Sequence, residues 1–424
     1  MDESPQYKAR SEGSPKDRMA YLCFLCLGIG SLLPWNAFVT AVDYYQHFYP
    51  EYHPDRVIPV LYMTLNVFVT GLLVKCGSSI DLRTRILFGF SAYSVSMLGV
   101  PVTDKVLFPH NDMHGSGNLM AMLITLSFVV VIAVANGFVQ GSLFGLSGLL
   151  PLTYTGALVL GTAISGVFIS FLRIGTKVAF GDSVGVLSMG IYVYFAAGGL
   201  FSLFCIYLHQ RVLPDLPIMV WHRKEEAIRK GYSEHSPLLN GKAAPKDVEV
   251  AQYTSLEHEA EAEVLLLPIF KRLWMYAFAV FFGYLVTLSI FPGVLAENLT
   301  SKTLKSWYSL LLMTVFNIGD MLGKMTPSRF HCKDGALLFI FSIMRFAFVP
   351  IYAIFVQENQ QDIDFFVMTF CLGLTNGFLT TSAMSTGPTL FGPREAEVAG
   401  TMMVFFLLFG LSIGACAGWL WIFL

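Results

Sequence analysis

Charged side chains are scarce in this chain. Lys, Arg, Asp and Glu make up 13% of its 424 residues, against about 25% in a soluble domain. Once the charge-rich stretch from Arg211 to Glu263 is set aside, too few remain to cover a globular surface. A water-soluble fold of this size is therefore excluded, and most of the chain must have lipid as its solvent. An excess of either sign is also missing: 27 basic and 29 acidic residues leave a formal net charge of −2. With no basic face for a phosphate backbone, nucleic acid is not an expected partner. The seven cysteines (Cys23, Cys26, Cys76, Cys205, Cys332, Cys371 and Cys416) are scattered in or beside apolar runs and form no disulfide framework. Cys23 and Cys26 make a CxxC inside an apolar segment, with no second pair and no nearby histidine, so they read as small packing residues rather than metal ligands. There is no Walker A motif (Gly319 to Lys324 has the wrong spacing), no HExxH and no G-x-S-x-G. None of the nine histidines is expected in the interior of an apolar run. An ATP-driven pump and an intramembrane metalloprotease are disfavoured, and nothing asks for a cofactor, a metal or an enzymatic role.

Apolar runs are what the chain does have, with 55% hydrophobic residues and a mean hydropathy of +0.61. A hydrocarbon core of about 30 Å needs about 20 such residues per helix. Stretches of that kind lie at residues 19–42, 57–77, 85–106, 119–149, 153–180, 183–209, 269–292, 306–326, 333–356, 364–390 and 397–423. The prediction is an all-α polytopic membrane protein of eleven transmembrane helices. Residues 1–18 form an N-terminal tail, 19–209 a bundle of helices 1–6, 210–268 a largely disordered loop, and 269–424 a bundle of helices 7–11. The first run is too long for a cleaved signal peptide and has Trp35 and Asn36 where a small-residue cleavage site would fall.

Basic residues set the orientation. Lys8, Arg10, Lys16, Arg18, Lys75, Arg83, Arg85, Arg329, Lys333 and Arg394 fall on one side with the long loop. Asp43, Glu51, Asp55, Glu358, Asp362 and Asp364 fall on the other. The N-terminus is thus expected in the cytosol and the C-terminus on the opposite side. The sequon Asn298-Leu299-Thr300 lies on the outer side, in a short loop close to the membrane, and is expected to stay unmodified. Within the long loop, Glu234-His235-Ser236-Pro237-Leu238-Leu239 has the acidic dileucine arrangement read by sorting adaptors, and Tyr253-Thr254-Ser255-Leu256 the tyrosine-based one.

Ionisable side chains inside a span cost roughly 2.5–3.5 kcal/mol on insertion scales, so each invites a functional reading. Asn317, Asp320 and Lys324 share one face of the eighth span, and Asp320 and Lys324 have the i, i+4 spacing of an ion pair. The pair could simply lock helices together, yet an apolar face would do that without desolvating two charges. A substrate or proton role is the stronger reading. In the fourth span, Gly137, Gly141, Gly145 and Gly148 form a packing stripe edged by Asn136 and Gln140. Gln140 offers two donors and an acceptor at a depth where water is scarce, and an uncharged heterocycle or sugar would satisfy it. Gly410, Gly414 and Gly418 repeat the packing theme. Pro34, Trp35 and Asn36 interrupt the first span and offer a freed carbonyl and an aromatic face, either at the interface or within the bundle. Arg173, Lys177 and Arg345 could snorkel or pair at a gate.

Four stretches are familiar. Gly30-Ser31-Leu32-Leu33-Pro34-Trp35-Asn36 with Thr40-Ala41, Gln140-Gly141-Ser142-Leu143-Phe144-Gly145-Leu146 with Gly148-Leu149-Leu150-Pro151, Phe316-Asn317-Ile318-Gly319-Asp320 through Gly323-Lys324, and Asn376-Gly377 with Glu395-Ala396-Glu397-Val398-Ala399-Gly400 resemble the signatures of the equilibrative nucleoside transporter family. The chain looks most like its plant members. The matches run from about residue 28 to the C-terminus and skip the long loop. The resemblance implies a major-facilitator-like 6+5 bundle with a central site and rocker-switch alternating access. It also implies that Leu32 and Trp35 line a nucleoside pocket, that Gln140 hydrogen-bonds the base, and that Asp320, with Asn317 and Lys324 on the same face, binds the ribose hydroxyls. Position 324 is Lys where many animal and protozoan members have Arg, and an ammonium cannot make guanidinium's planar two-point contact. Some members couple transport to protons, for which Asp320 is the candidate carboxylate.

The expected function is transport of purine and pyrimidine nucleosides, equilibrative or proton-coupled, at the plasma membrane or, given Leu238-Leu239, the vacuolar membrane. Transport of nucleobases or other small neutral metabolites is the alternative, and a polytopic receptor or intramembrane transferase is the alternative from another class.

Overall fold

The computed structural model describes residues 15–41, 45, 50–76, 80–107, 119–180, 184–220, 266–291, 301–304, 307–328, 330, 332–357 and 362–423. The sorting motifs at 234–239 and 253–256 and the sequon at 298–300 lie outside them. All regular structure among the described residues is helical. In chain order it comprises α1 (Pro15–Thr40), α2 (Pro54–Cys76), α3 (Leu82–Leu107), α4 (Leu119–Gly148), α5 (Leu152–Phe180), α6 (Val184–Tyr207), α7 (Leu266–Ile290), α8 (Tyr308–Met325), α9 (Gly335–Met344), α10 (Phe348–Gln357), α11 (Asp362–Thr386) and α12 (Pro393–Ala417). Local chemistry sets several ends. The Asp334 carboxylate accepts the amides of Ala336 and Leu337 at the start of α9, and Pro393 opens α12 after Gly392, where its missing N–H is harmless.

By length and composition, ten helices among the described residues are able to cross a membrane, with α9 and α10 counted together as Gly335–Gln357. That set does not include α8, the predicted eighth span, which has only 18 residues and carries Asn317, Asp320 and Lys324 on its inner face. The eleven-helix count therefore rests on a helix too polar to be read as a span by itself. Large side chains left exposed, such as Phe68, Val95 and Phe88, are apolar, as a hydrocarbon solvent requires.

Three boundaries differ from the sequence reading. Pro34 does not interrupt α1, which runs unbroken through it; the Cys205 thiol lies against Gly30, the residue whose carbonyl the proline frees, and donates to the Cys26 carbonyl at 3.6 Å. The sixth helix does not stop at 209 but continues through a π turn at Leu208–Val212 and a 3₁₀ turn to Asp215. His209 is consequently buried in a span, contrary to expectation. The ninth span is broken by a 3₁₀ turn at Arg345–Ala347, because Pro350 cannot donate to the Phe346 carbonyl.

Helices α1–α6 pack chiefly among themselves, through α1 on α5, α3 on α4 and α6, and α2 on α4. Helices α7–α12 do the same, through α8 on α11, α7 on α12, and α7 on α9 and α11. The two sets meet along α2 and α4 against α12 and along α5 against α8 and α11. At the end of the molecule where α4 stops and α12 starts the two sets are shut. A Cβ on Gly148 would meet the Ala396 carbonyl at 2.7 Å, Thr401 donates to the Gly141 carbonyl at 3.1 Å, and Arg85 reaches Glu397 at 3.4 Å. No extensive packing joins α1 to α7 among the described residues.

Candidate functional site

Close backbone approach builds the site. A Cβ on Gly323 would overlap the Leu374 carbonyl of α11, and one on Gly377 would overlap the Asp320 carbonyl of α8. With glycine at both positions the two helices touch backbone to backbone, which brings the short Asn376 side chain of α11 to Asp320.

The three polar residues of α8 then point into two different neighbours. Lys324 Nζ lies 2.7 Å from Asp320 Oδ2 and donates to Thr162 Oγ1 of α5 at 3.1 Å. Asp320 Oδ1 accepts from Asn376 Nδ2 at 2.8 Å. Asn317 donates to Ser170 Oγ at 2.9 Å and to the Gly166 carbonyl, both on α5. Asp320 and Lys324 are both buried, so the interaction is little screened by solvent. A carboxylate has about four lone-pair sites; the two donors recorded here leave room for two hydroxyl donors.

Arg345 continues the network on the far side of Asn376. Its Nη1 donates to the Gly283 carbonyl at 2.9 Å and to Asn376 Oδ1 at 3.3 Å. Its Nη2 donates to Thr287 Oγ1 at 2.9 Å and to the Leu372 carbonyl at 3.1 Å. The single Thr287 hydroxyl proton lies between two acceptors at 2.9 Å, Asn376 Oδ1 and the Gly283 carbonyl. An unbroken buried chain therefore runs from α7 through Arg345, Asn376, Asp320 and Lys324 to α5, in the other set of helices.

The remaining predicted residues stand on α1 and α4. Trp35 is buried within the bundle, its ring 4.7 Å from that of Tyr62. Leu32, one turn before it, is partly buried against the core. Gln140 is 5% exposed, yet its amide has no hydrogen-bond partner among the described residues. Asn136, one turn away, is satisfied: it donates to Asn66 at 2.9 Å and accepts from Tyr93 at 2.6 Å. The structure thus joins Asp320 and Lys324 in one network, ties Asn317 separately to α5, and leaves Trp35, Leu32 and Gln140 outside it, with no hydrogen bond from Gln140 to any of the three.

The other intramembrane cations have protein partners. Arg173 donates to the Tyr194 hydroxyl at 3.3 Å, and Lys177 lies over the Trp307 ring at 4.9 Å. Cys23 and Cys26 are free thiols, the first buried and the second half-buried. Sequence reasoning did not single out Thr162 or Asn376 as site residues, and it left Arg345 unassigned. A hydroxyl facing an ammonium from 162 residues away has no local signal, whereas an arginine in an apolar run was itself the clue to a buried polar partner.

A family model described as nucleoside transporter matches residues 126–423, which include α8, α11, Gln140, Arg345 and both closing glycines. The chain belongs to the nucleoside transporter family. Among curated relatives of this family member, equilibrative nucleotide transporter 8 of Arabidopsis thaliana is 33% identical over 408 residues, covering 96% of this chain and 95% of the relative. Equilibrative nucleotide transporters 1 and 7 of the same plant are 32% and 31% identical over 425 residues, so it resembles the plant branch. Among solved structures, the nucleoside transporter family chain is similar to the major facilitator superfamily proton:xylose symporter XylE bound to 6-bromo-6-deoxy-D-glucose. The TM-score is 0.63 at 13% identity, covering 95% of this chain and 94% of that one. A partially occluded inward-open XylE from E. coli gives 0.54 at 12% identity, with 94% and 96% covered. The family member therefore has the major facilitator fold and is an integral membrane protein.

Proposed function

We propose that the chain carries purine and pyrimidine nucleosides across a membrane by alternating access, with no chemical conversion of the cargo. The observation that carries this reading is the half-satisfied Asp320. It is buried at the meeting of the two helix sets, spends one oxygen on Lys324 and one on Asn376, and keeps acceptor capacity for two vicinal hydroxyls of a ribose. Gln140, a buried residue whose amide makes no hydrogen bond to the described residues, is the matching group for a base edge. Trp35 and Leu32 supply apolar wall, and Asn317 and Lys324 tie the α8 face to α5.

Residues 19–209 and 269–424 act as the two halves that rock about this site. With the N-terminus in the cytosol and the C-terminus outside, the shut end at Gly148, Ala396, Arg85 and Glu397 is the cytosolic one, and the site is approached from outside between α1 and α7. Both Asp320 oxygens accept hydrogen bonds, an arrangement suited to a carboxylate anion, so equilibrative transport is favoured over a proton shuttle at this residue. The plasma membrane is the favoured location, with the vacuolar membrane reached if adaptors read Glu234, Leu238 and Leu239.

Uptake of labelled adenosine and uridine into proteoliposomes, with and without an inward proton gradient, tests the reading. Uptake of both that ignores the gradient and is competed by unlabelled nucleoside but not by adenine or glucose is the expected result. Absence of uptake for either nucleoside would refute the substrate class, and accumulation only with the gradient would replace the equilibrative mode by symport.

A further inference from the structure

Asp320 faces two buried cations, one of which it does not touch. Lys324 is a direct partner at 2.7 Å. Arg345 is 1% exposed, and the four acceptors recorded for its guanidinium are neutral: two main-chain carbonyls, a hydroxyl and the Asn376 amide oxygen. Between Arg345 and Asp320 stands one side-chain amide whose polarity is fixed at both ends. Its oxygen faces the donor-only guanidinium of Arg345 and its NH₂ faces the acceptor-only carboxylate of Asp320, while Thr287 shares a single proton between that oxygen and the Gly283 carbonyl. An asparagine in an ordinary setting can flip; here the guanidinium on one side and the carboxylate on the other exclude the flipped orientation, in which an amide NH₂ would face the cation and the amide oxygen the anion.

We propose that Arg345 is a positioning residue for substrate recognition. Acting through Asn376, it holds Asp320 Oδ1 in one orientation so that the remaining lone pairs of the carboxylate are presented to a vicinal diol. The same guanidinium is anchored on α7 at Gly283 and Thr287 and on α11 at Leu372, so the orientation of the carboxylate is referred to two helices besides its own. This rests on the nucleoside reading of the site and goes beyond it by assigning the discrimination between ribose and hydroxyl-free sugars to a residue that does not contact the cargo.

The test compares adenosine with 2′,3′-dideoxyadenosine as cargo in proteoliposomes holding the full chain. The variants are Arg345→Gln, Arg345→Lys and Asn376→Leu. Arg345→Gln leaves the Asp320–Lys324 pair balanced in charge and is therefore compatible with folding, and Asn376→Leu keeps the volume of the relay while removing its dipole. The wild type should show a lower KM for adenosine than for the dideoxy analogue. Both Arg345→Gln and Asn376→Leu should reduce that ratio about fivefold or more, the worth of one hydrogen bond, by raising the adenosine KM while the dideoxyadenosine KM stays put. Arg345→Lys, which keeps the charge without the fork, should restore part of the ratio. A parallel loss for both cargoes, with the ratio unchanged, would overturn the proposal and leave Arg345 as a structural brace. A wild type that transports neither compound would instead remove the nucleoside reading, and the positioning role with it.

Discussion

Counting charges around Asp320 gives an ordering of stabilities that no simple ion-pair view predicts. Replacing Lys324 by Met leaves one anion, Asp320, facing one cation, Arg345, through Asn376. Replacing Asp320 by Asn leaves two buried cations and no anion, because Lys324 and Arg345 are 6% and 1% exposed. Removing one partner of a buried pair costs about 3–5 kcal/mol, and the second stranded cation puts Asp320→Asn at the top of that range and Lys324→Met at the bottom or below. At about 2–4 °C per kcal/mol for units of 150–250 residues, the melting temperature should fall by about 10–20 °C for Asp320→Asn and by about 6–12 °C or less for Lys324→Met. The double variant strands only Arg345, so it should melt between the two and above Asp320→Asn. Thermal denaturation of detergent-purified protein, followed by tryptophan fluorescence, reads all three. If Lys324→Met falls as far as Asp320→Asn, or the double variant melts below both, Arg345 does not share the charge of Asp320 and the reasoning is wrong.

Two further outcomes follow from unpaired and half-exposed groups. Gln140→Leu removes an amide that makes no hydrogen bond to the described residues, so the melting temperature should hold while the nucleoside KM increases by about tenfold or less; a variant that loses stability and transport together would show that the amide has a protein partner after all. The Arg85–Glu397 pair has a 36% exposed carboxylate and is worth at most about 1 kcal/mol. Arg85→Gln should therefore raise thiol-reagent labelling of a Ser147→Cys reporter, buried at the shut end, by no more than about fivefold, and the swapped pair Arg85→Glu/Glu397→Arg should return it to the starting level. Labelling that is indifferent to both would remove this pair from the closure.

The helical class, the α8 triad and the family were legible in the sequence because each leaves a local or contiguous trace. Hydropathy runs mark spans, and i, i+4 spacing marks the Asp320–Lys324 pair. What was not legible depends on register between distant helices. Gly323 and Gly377 look like any small residues until α8 and α11 are seen in contact, and only that contact makes Asn376 a neighbour of Asp320. The burial of His209 was hidden because a π turn carried the sixth helix past the polar residues that suggested its end. The unbroken course of α1 through Pro34 was missed because proline removes one hydrogen bond, a defect that surrounding helices can absorb.

Glycine at the shut end also shapes how that end would part. Where α4 meets α12, a Cβ on Gly145 would lie 2.9 Å from Thr401 Oγ1, and Gly148 and Gly400 abut the main chain of Ala396 and Phe144. Backbone lies against backbone at Gly148 and Gly400, while the Thr401 and Glu397 side chains seat over Gly145, so separation has to withdraw those two side chains and little else. A single added methyl would act as a doorstop, propping the halves ajar rather than cementing them, and the absence of a Cβ at Gly145, Gly148 and Gly400 is what lets this face shut flush.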